Sequence, residues 1–312
     1  MKNFWRKLKL PILALAPMAG VTDSAFRQIC REQGADVVYT EMVSADGLFY
    51  DSKKTLELLK FSKEEKPVVI QLFGKNPDTF TKAAQIAQKV GFDGIDINFG
   101  CPAKKVVAHG GGVTLMRDLE NCHRIIEAVV AGTSLPISVK IRAGIDKVTA
   151  IDFVSKVKGL PISALMIHGR CFQNPFTGPI DFEMISKVKN EFKGIVIGNG
   201  GINTPEDAKE MVGNTGVDGL GLARGIRGKP WLFGQIKDYL KTGEYHKPSI
   251  KDIKKVILRH GKLAFKAKDE YGIIELRKHL LWYTHGWPDV KEMRKSLVTV
   301  ENLKDIKTIL AQ

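Results

Sequence analysis

One cysteine of this 312-residue chain lies where chemistry is more plausible than packing. Cys101 stands between Gly100 and Pro102, so a constrained loop should present its thiol outside any helix. Cys30 and Cys122 instead have apolar neighbours at helical spacing, and we interpret both as small core side chains. The cysteines at 30, 101, 122 and 171 form no CxxC pair and no zinc spacing, so we expect neither a disulfide framework nor a metal site.

Three further polar residues end short apolar runs. The Lys140 ammonium could offset negative charge on a reduced cofactor, or it could simply reach solvent. Gln71 carries a paired donor and acceptor that could bind the edge of a planar heterocycle, or tie down a loop. His168 lies at a predicted strand end, where a ligand contact is favoured over core filling.

The elements that position these residues alternate between strand and helix. Eight apolar, β-branched runs are separated by 23 to 42 residues, about one strand plus one helix; they begin near Leu13, Val37, Pro67, Ile95, Ile137, Ala164, Ile195 and Asp218. Helical patterns with good caps lie between them, for example from Pro77 to Gly91. Eight such units favour a closed (β/α)8 TIM barrel over an open doubly wound sheet.

The barrel prediction places a candidate site at the carboxyl ends of the strands, because active sites of this fold lie there. Glycines follow the seventh and eighth predicted strands, in GNGG at 198–201 and GLGLARG at 219–225. Backbone N–H groups at this place commonly bind a phosphate. The alternative is that these glycines only permit tight turns between strand and helix.

From Ser249 onward the pattern predicts helices without strands, so we divide the chain into a barrel domain, 1–245, and a small C-terminal helical domain, 246–312. The net charge of +14 favours a polyanionic partner, although a lysine-rich surface that serves solubility would give the same charge. Residues 249–312 hold 14 Lys and Arg against 8 Asp and Glu, which favours a nucleic-acid surface. Without a signal-peptide pattern or a membrane-length apolar run, we expect a cytoplasmic protein.

Taken together, these motifs resemble the tRNA-dihydrouridine synthase family, in particular its bacterial DusB subgroup, over nearly the whole chain. The motifs occur in the family's order: APMAGVTD at 16–23, TEMVS at 40–44, QLFG at 71–74, DINFGCPAKKV at 96–106, VKIR at 139–142, IHGR at 167–170, and GKPW at 228–231. The resemblance implies reduction of uridine to 5,6-dihydrouridine in tRNA, with hydride from flavin mononucleotide (FMN) to C6 and flavin re-reduced by NADPH. It also makes Cys101 the acid that protonates C5.

The resemblance further implies which residues contact FMN: Pro17, Met18, Ala19, Gln71, Lys140, His168, Asn199, Gly200, Gly201, Ala223 and Arg224. Asn98, Lys140 and Arg142 are candidates to hold the polar edge of the target base, which must leave the RNA stack. Arg277 and Lys278 of the helical domain are candidates for tRNA contacts. We expect a monomer with tRNA as partner, and no membrane or metal.

The chain departs from the family pattern after Arg170. The family continues with more basic residues there, whereas this chain has CFQNPF at 171–176, which begins with Cys171. Three other functions stay open. The first is a small-molecule flavin enzyme of the dihydroorotate dehydrogenase type, which needs no basic tail. The others are a non-redox phosphate-binding barrel, isomerase or lyase, and a non-catalytic RNA-binding module.

Overall fold

A closed barrel of eight parallel strands forms the centre of the protein, for which a computed structural model describes residues 3–311. The described strands are β1 Ile12–Leu15, β2 Val37–Ser44, β3 Val68–Phe73, β4 Gly94–Asn98, β5 Ile137–Arg142, β6 Gly144–Ile145, β7 Val148–Thr149, β8 Ile162–His168, β9 Ile195–Asn199 and β10 Gly219–Leu222. β1 pairs with both β2 and β10, which closes the barrel, and β6 and β7 form a separate antiparallel pair. The predicted fold is confirmed, with each barrel strand beginning within two residues of its predicted start.

Helices follow the strands and cover the outside of the barrel. The described α-helices are α1 Ser24–Glu32, α2 Ala45–Phe49, α3 Lys53–Glu57, α4 Pro77–Val90, α5 Lys104–Ala108, α6 Leu119–Gly132, α7 Ala150–Lys156, α8 Phe182–Glu191, α9 Pro205–Thr215, α10 Leu232–Thr242, α11 Ile250–Tyr283, α12 Lys291–Leu297 and α13 Leu303–Ala311. Short 3₁₀ turns lie at 4–7, 63–65, 112–117 and 224–226. α4 begins with Pro77 after the capping side chain of Asn76 and ends at the left-handed Gly91, as the sequence predicts.

The strands separate two apolar layers, because successive side chains of a strand point to opposite faces. Ile12 and Ala14 of β1 belong to a cluster inside the barrel that also contains Trp5 and Met166. Leu13 and Leu15, and their counterparts on the other strands, belong to the larger cluster beneath the surrounding helices. This alternation leaves the carboxyl ends of the strands free to carry polar side chains into one mouth.

The helices after Ser249 form a third apolar cluster against α1. α11 is interrupted at Lys268 and at Asp269, whose φ of 49° is left-handed, so its two halves fold back as a hairpin. Phe26 of α1 packs against His279 of the hairpin, with ring centroids 4.7 Å apart. Helices without strands were predicted for this part of the chain, and the structure confirms them. No helix within residues 3–311 combines the length and apolar character needed to cross a membrane.

Candidate active site

A cavity of about 730 Å³ opens at the carboxyl ends of the barrel strands. It is lined by most of the residues that the sequence predicted for the site: Pro17, Ala19, Gln71, Asn98, Cys101, Lys140, Arg142, His168, Asn199, Gly200, Gly201, Ala223 and Arg224. Met18 is partly buried against the barrel core beside this lining. Arg277 and Lys278 lie in α11, away from the cavity, and Arg277 donates to the carbonyl oxygens of Thr299 and Val300.

The loop that carries Cys101 is fixed by the side chain of Asn98. Asn98 Oδ1 accepts hydrogen bonds from the backbone N–H groups of Gly100, at 3.1 Å, and Cys101, at 2.9 Å. Asn98 Nδ2 donates to Gln71 Oε1 at 2.8 Å and lies 3.0 Å from Met42 Sδ. All its hydrogen-bonding groups are therefore in use, and a direct contact between Asn98 and the base stays a prediction.

Behind Asn98 the hydrogen bonds continue to a carboxylate that the sequence reasoning missed. Gln71 Nε2 donates to Asp96 Oδ2 at 2.6 Å, and Ser138 Oγ donates to Asp96 Oδ1 at 2.7 Å. Burial raises the pKa of Asp96 to about 6, although both hydrogen bonds and nearby Lys140 oppose the rise. The available signal was the two-residue period of β4, which puts Asp96 on the same face as Asn98.

The Cys101 thiol lies half-buried at the cavity wall. Burial raises its pKa above the ordinary value, outweighing the opposing effects of the Ala103 backbone, Arg142 and Lys140. The thiol is therefore protonated at neutral pH, as a general acid requires. Gly112 packs behind it with a φ of +63°, and a Cβ there would lie 2.5 Å from the Cys101 carbonyl oxygen. Packing against Cys101 therefore requires at least one glycine, Gly112, in the glycine-rich segment that follows the cysteine.

Two cations flank the thiol. Lys140 Nζ donates to Asn199 Oδ1 at 3.0 Å, and burial together with Arg142 lowers the pKa of Lys140 to about 8. Arg142 Nε donates to the Gly100 carbonyl oxygen at 2.7 Å, so Arg142 also holds the loop next to Cys101. Burial is the main reason why the pKa of Arg142 falls to about 10. Both side chains carry positive charge at neutral pH.

The electrostatic character of the cavity is strongly positive. Its charged lining residues are Lys140, Arg142, Arg170, Arg224 and Arg227, and among residues 3–311 no aspartate or glutamate lines it. Burial and the surrounding cations hold the pKa of His168 far below its ordinary value, so the imidazole is neutral. Such a cavity favours anionic ligands and anionic transition states.

Glycines at the ends of β9 and β10 line the cavity and allow close packing of the backbone there. Gly200 and Gly201 have φ values of +110° and +77°, and a Cβ on Gly200 would lie 2.5 Å from His168 Cδ2. A Cβ on Gly225 would lie 2.0 Å from the Ile202 carbonyl oxygen. These backbones therefore require glycine, and with Arg224 they form a cationic, small-residue cradle. The donor set fits the phosphate and the polar ring edge of FMN.

A second cavity of about 520 Å³, here called the tryptophan groove, adjoins the first and was not predicted. It lies between the loop after β10 and the C-terminal helices, and it shares Arg224 and Arg227 with the active-site cavity. Its aromatic and cationic lining comprises Trp231, Trp282, Tyr283, Trp287, Arg224, Arg227, Lys229, His285 and Arg294. The Arg227 guanidinium lies 5.0 Å from the centre of the Trp282 ring, a cation–π distance. Tryptophans close to basic residues in 224–231 and 282–294 were the signal in the sequence.

Comparison with solved structures finds the same barrel fold at low sequence identity. Histamine dehydrogenase from Rhizobium sp. 4-9 superimposes with a TM-score of 0.56 and 15% identity, covering 80% of this chain and 48% of the other. An old yellow enzyme homologue from Zymomonas mobilis gives a TM-score of 0.54 and 13% identity, covering 80% and 95%. At these identities the similarity shows the fold alone.

Sequence comparison is more specific. The family model described as dihydrouridine synthase (Dus) matches residues 14–312. tRNA-dihydrouridine synthase B of Pseudomonas aeruginosa is 38% identical over 287 residues, covering 90% of this chain and 86% of the relative. A probable tRNA-dihydrouridine synthase of Rickettsia conorii is 35% identical, with 96% and 92% covered. The predicted resemblance to the DusB subgroup is thereby confirmed, and the chain belongs to the dihydrouridine synthase family.

Proposed function

We propose that this protein reduces uridine to 5,6-dihydrouridine in tRNA, as a cytoplasmic monomer that uses FMN and is re-reduced by NADPH. One observation carries the proposal beyond family membership. A protonated thiol, Cys101, is held on a fixed loop at the wall of a cavity whose charged lining residues are all cationic. A proton donor beside a site for anionic ligands is what reduction of a nucleotide base requires.

The chain would hold FMN with residues from six barrel strands and their loops. Gly200, Gly201, Ala223 and Arg224 would bind the phosphate through backbone N–H groups and one guanidinium. Gln71 and Lys140 would meet the polar edge of the ring, and the backbone around Pro17, Met18 and Ala19, with His168 and Asn199, would form the rest of the site. Bound and reduced FMN would supply the hydride for C6 of the uracil ring.

Cys101 would donate its proton to C5, so that hydride and proton together saturate the C5–C6 bond. The thiolate left behind would be stabilised by Lys140 and Arg142, whose charges already favour the deprotonated form of Cys101. The thiolate would then recover a proton from solvent before the next turnover. Arg142 would also hold the base, and Asn98 would keep the Cys101 loop in place.

The tryptophan groove favours RNA over a small molecule as the substrate. Its indole rings and cationic side chains suit stacked bases and phosphates, which single-stranded nucleic acid offers together. Because the groove joins the active-site cavity through Arg224 and Arg227, RNA nucleotides next to the target uridine would occupy it. A dihydroorotate-type dehydrogenase has no use for such a groove. We therefore propose 246–312 as a tRNA-binding domain, to which Arg277 and Lys278 would add charge.

The test is direct. Purified protein should carry non-covalent FMN, identified by chromatography after denaturation, and should convert uridine to dihydrouridine in unmodified tRNA with NADPH. Nucleoside mass spectrometry measures the product, with free uridine and orotate as substrate controls. A colourless protein that takes up no FMN, or a flavoprotein that acts on orotate and leaves tRNA unmodified, would refute the proposal.

A further inference from the structure

Asp96 is a fully buried carboxylate behind the wall of the active-site cavity. It lies in β4, in register with Gln71 of β3 and Ser138 of β5, and both of these side chains donate to it. A buried charge is costly unless it is paired and hydrogen-bonded. Its retention in the barrel interior therefore calls for a role beyond packing.

The hydrogen bonds that begin at Asp96 have one possible direction. An ionised carboxylate only accepts, so Gln71 must turn its NH₂ group toward Asp96 and its Oε1 toward Asn98. Asn98 must then direct its own NH₂ group to Gln71, which leaves its Oδ1 for two backbone N–H groups. At the far end those N–H groups, of Gly100 and Cys101, only donate. Both ends of the relay thus require the same orientation of the two amides.

We propose that Asp96 is a positioning residue, which acts on Cys101 through these two intervening side-chain amides. Without the acceptor at Asp96, the Gln71 amide loses the partner that fixes its orientation. Asn98 then loses its acceptor, and the hydrogen bonds that hold the Cys101 loop weaken. Asp96 would thereby position the Cys101 acid without touching the substrate.

The same carboxylate is the buried counter-charge of Lys140. Asp96 is in register with Ser138 of β5, and Lys140 lies two residues further along β5, with its side chain on the same face. The charges that face Lys140 are Arg142, Asp96 and Cys101; Arg142 disfavours the protonated ammonium, whereas Asp96 and a Cys101 thiolate favour it. His168 also faces Lys140 but is neutral. At neutral pH Asp96 is therefore the anion in this set that keeps Lys140 protonated while Cys101 remains a thiol. This half of the inference rests on the proposed function, in which protonated Lys140 serves the reaction.

Two substitutions separate the acceptor from the charge. Asp96→Asn keeps an oxygen for Gln71 and removes the charge, whereas Asp96→Leu removes both. Amide hydrogen exchange of a peptide spanning 99–106 reports the loop directly, in protein without substrate. We expect exchange at Gly100 and Cys101 to accelerate at least about tenfold in Asp96→Leu, the scale of one lost hydrogen bond. Asp96→Asn should exchange at the wild-type rate.

The charge is tested by the pH profile of dihydrouridine formation. In Asp96→Asn the basic limb should move about one pH unit lower, because Lys140 loses its proton more readily.

Ser138→Ala is the matched control for the exchange experiment, since it removes a hydrogen bond from the other oxygen of the same carboxylate. It should leave loop exchange unchanged.

Unchanged exchange in folded Asp96→Leu would overturn the positioning role. If that variant does not fold, Gln71→Met interrupts the same relay one step later and should accelerate exchange equally. Exchange at the wild-type rate in Gln71→Met would likewise overturn the positioning role. An unmoved basic limb in Asp96→Asn would overturn the counter-charge role. Failure of the proposed function is distinguishable, because the wild-type protein would then form no dihydrouridine while the exchange results stand.

Discussion

The backbone N–H of Cys101 donates to Asn98 Oδ1 across 2.9 Å, which joins the end of β4 to the residue that would protonate the substrate. This contact fixes where the thiol stands, while burial keeps it protonated. Position and protonation state therefore have separate physical causes, and they can be tested separately.

Replacement of the thiol should stop proton transfer and leave hydride chemistry intact. Cys101→Ala should bind FMN and be reduced by NADPH normally, yet form dihydrouridine about 10²-fold more slowly, the usual scale for loss of a positioned general acid. Stopped-flow flavin reduction and product mass spectrometry measure the two steps. Cys171→Ala is the control, because its thiol is exposed on the loop after β8. If Cys171→Ala loses activity while Cys101→Ala keeps it, the acid lies on the loop after β8.

The charge of Lys140 should set an alkaline limit to activity. Its pKa is lowered to about 8, so the ammonium is present below that pH and lost as pH rises through it. We expect turnover with tRNA to fall above about pH 8, and Lys140→Met to weaken FMN binding and abolish this limb. Flavin fluorescence titrations and rates from pH 6.5 to 9.5 check both. A pH profile of Lys140→Met identical to that of the wild type would assign the limb to another group.

The tryptophan groove should contribute to tRNA affinity and not to flavin chemistry. Trp287→Ala and Arg294→Ala should each raise KM for tRNA about tenfold, within the range for one stacked base or one phosphate contact. Arg294→Ala should also make the slope of log binding constant against log salt concentration shallower by about one unit, the change expected for the loss of one phosphate contact. NADPH-driven flavin reduction should not change.

Lys158→Ala provides the control for this prediction, because Lys158 lies near the amino-terminal end of β8 at the opposite side of the barrel. Its substitution removes one positive charge without touching the groove. If Lys158→Ala weakens tRNA binding as much as Arg294→Ala does, the affinity comes from overall charge and the groove has no special role.

Two buried histidines should make the C-terminal helices sensitive to acid. Burial lowers the pKa of His260 to about 4 and that of His279 well below 6.5, the ordinary value. Below about pH 6.5 the unfolded chain binds protons that the folded chain excludes, so stability should fall as pH decreases from 6.5 toward 4. The slope should approach about 1.4 kcal/mol per pH unit for each histidine.

Urea unfolding between pH 7.5 and 4.5 measures this slope, and His279→Gln should reduce it. His285→Gln should not, because His285 is exposed. An unfolding free energy that is constant over this range in the wild-type protein would contradict the prediction.

The sequence by itself determined the barrel, because its information is local and periodic. Apolar runs at near-regular spacing, Pro77 with Gly91 around α4, and glycines after β9 and β10 each follow from backbone conformations that nearby residues dictate. Because the carboxyl ends of barrel strands share one mouth, strand assignment alone was enough to predict that Gln71, Lys140 and His168 lie together. The motif resemblance added Cys101 as the acid.

Only the tertiary structure decided how these residues act on one another. The sequence predicted that Asn98 holds the target base, and this contact stays a prediction. What packing adds is that Asn98 lies against Gln71 and accepts from the N–H of Cys101. Asp96 was missed because a buried acid has no local signal beyond strand alternation. The tryptophan groove was missed because Arg227 and Trp282 are far apart in the chain and meet only when α11 docks beside the barrel. Contacts of this kind depend on long-range packing, which composition and periodicity do not encode.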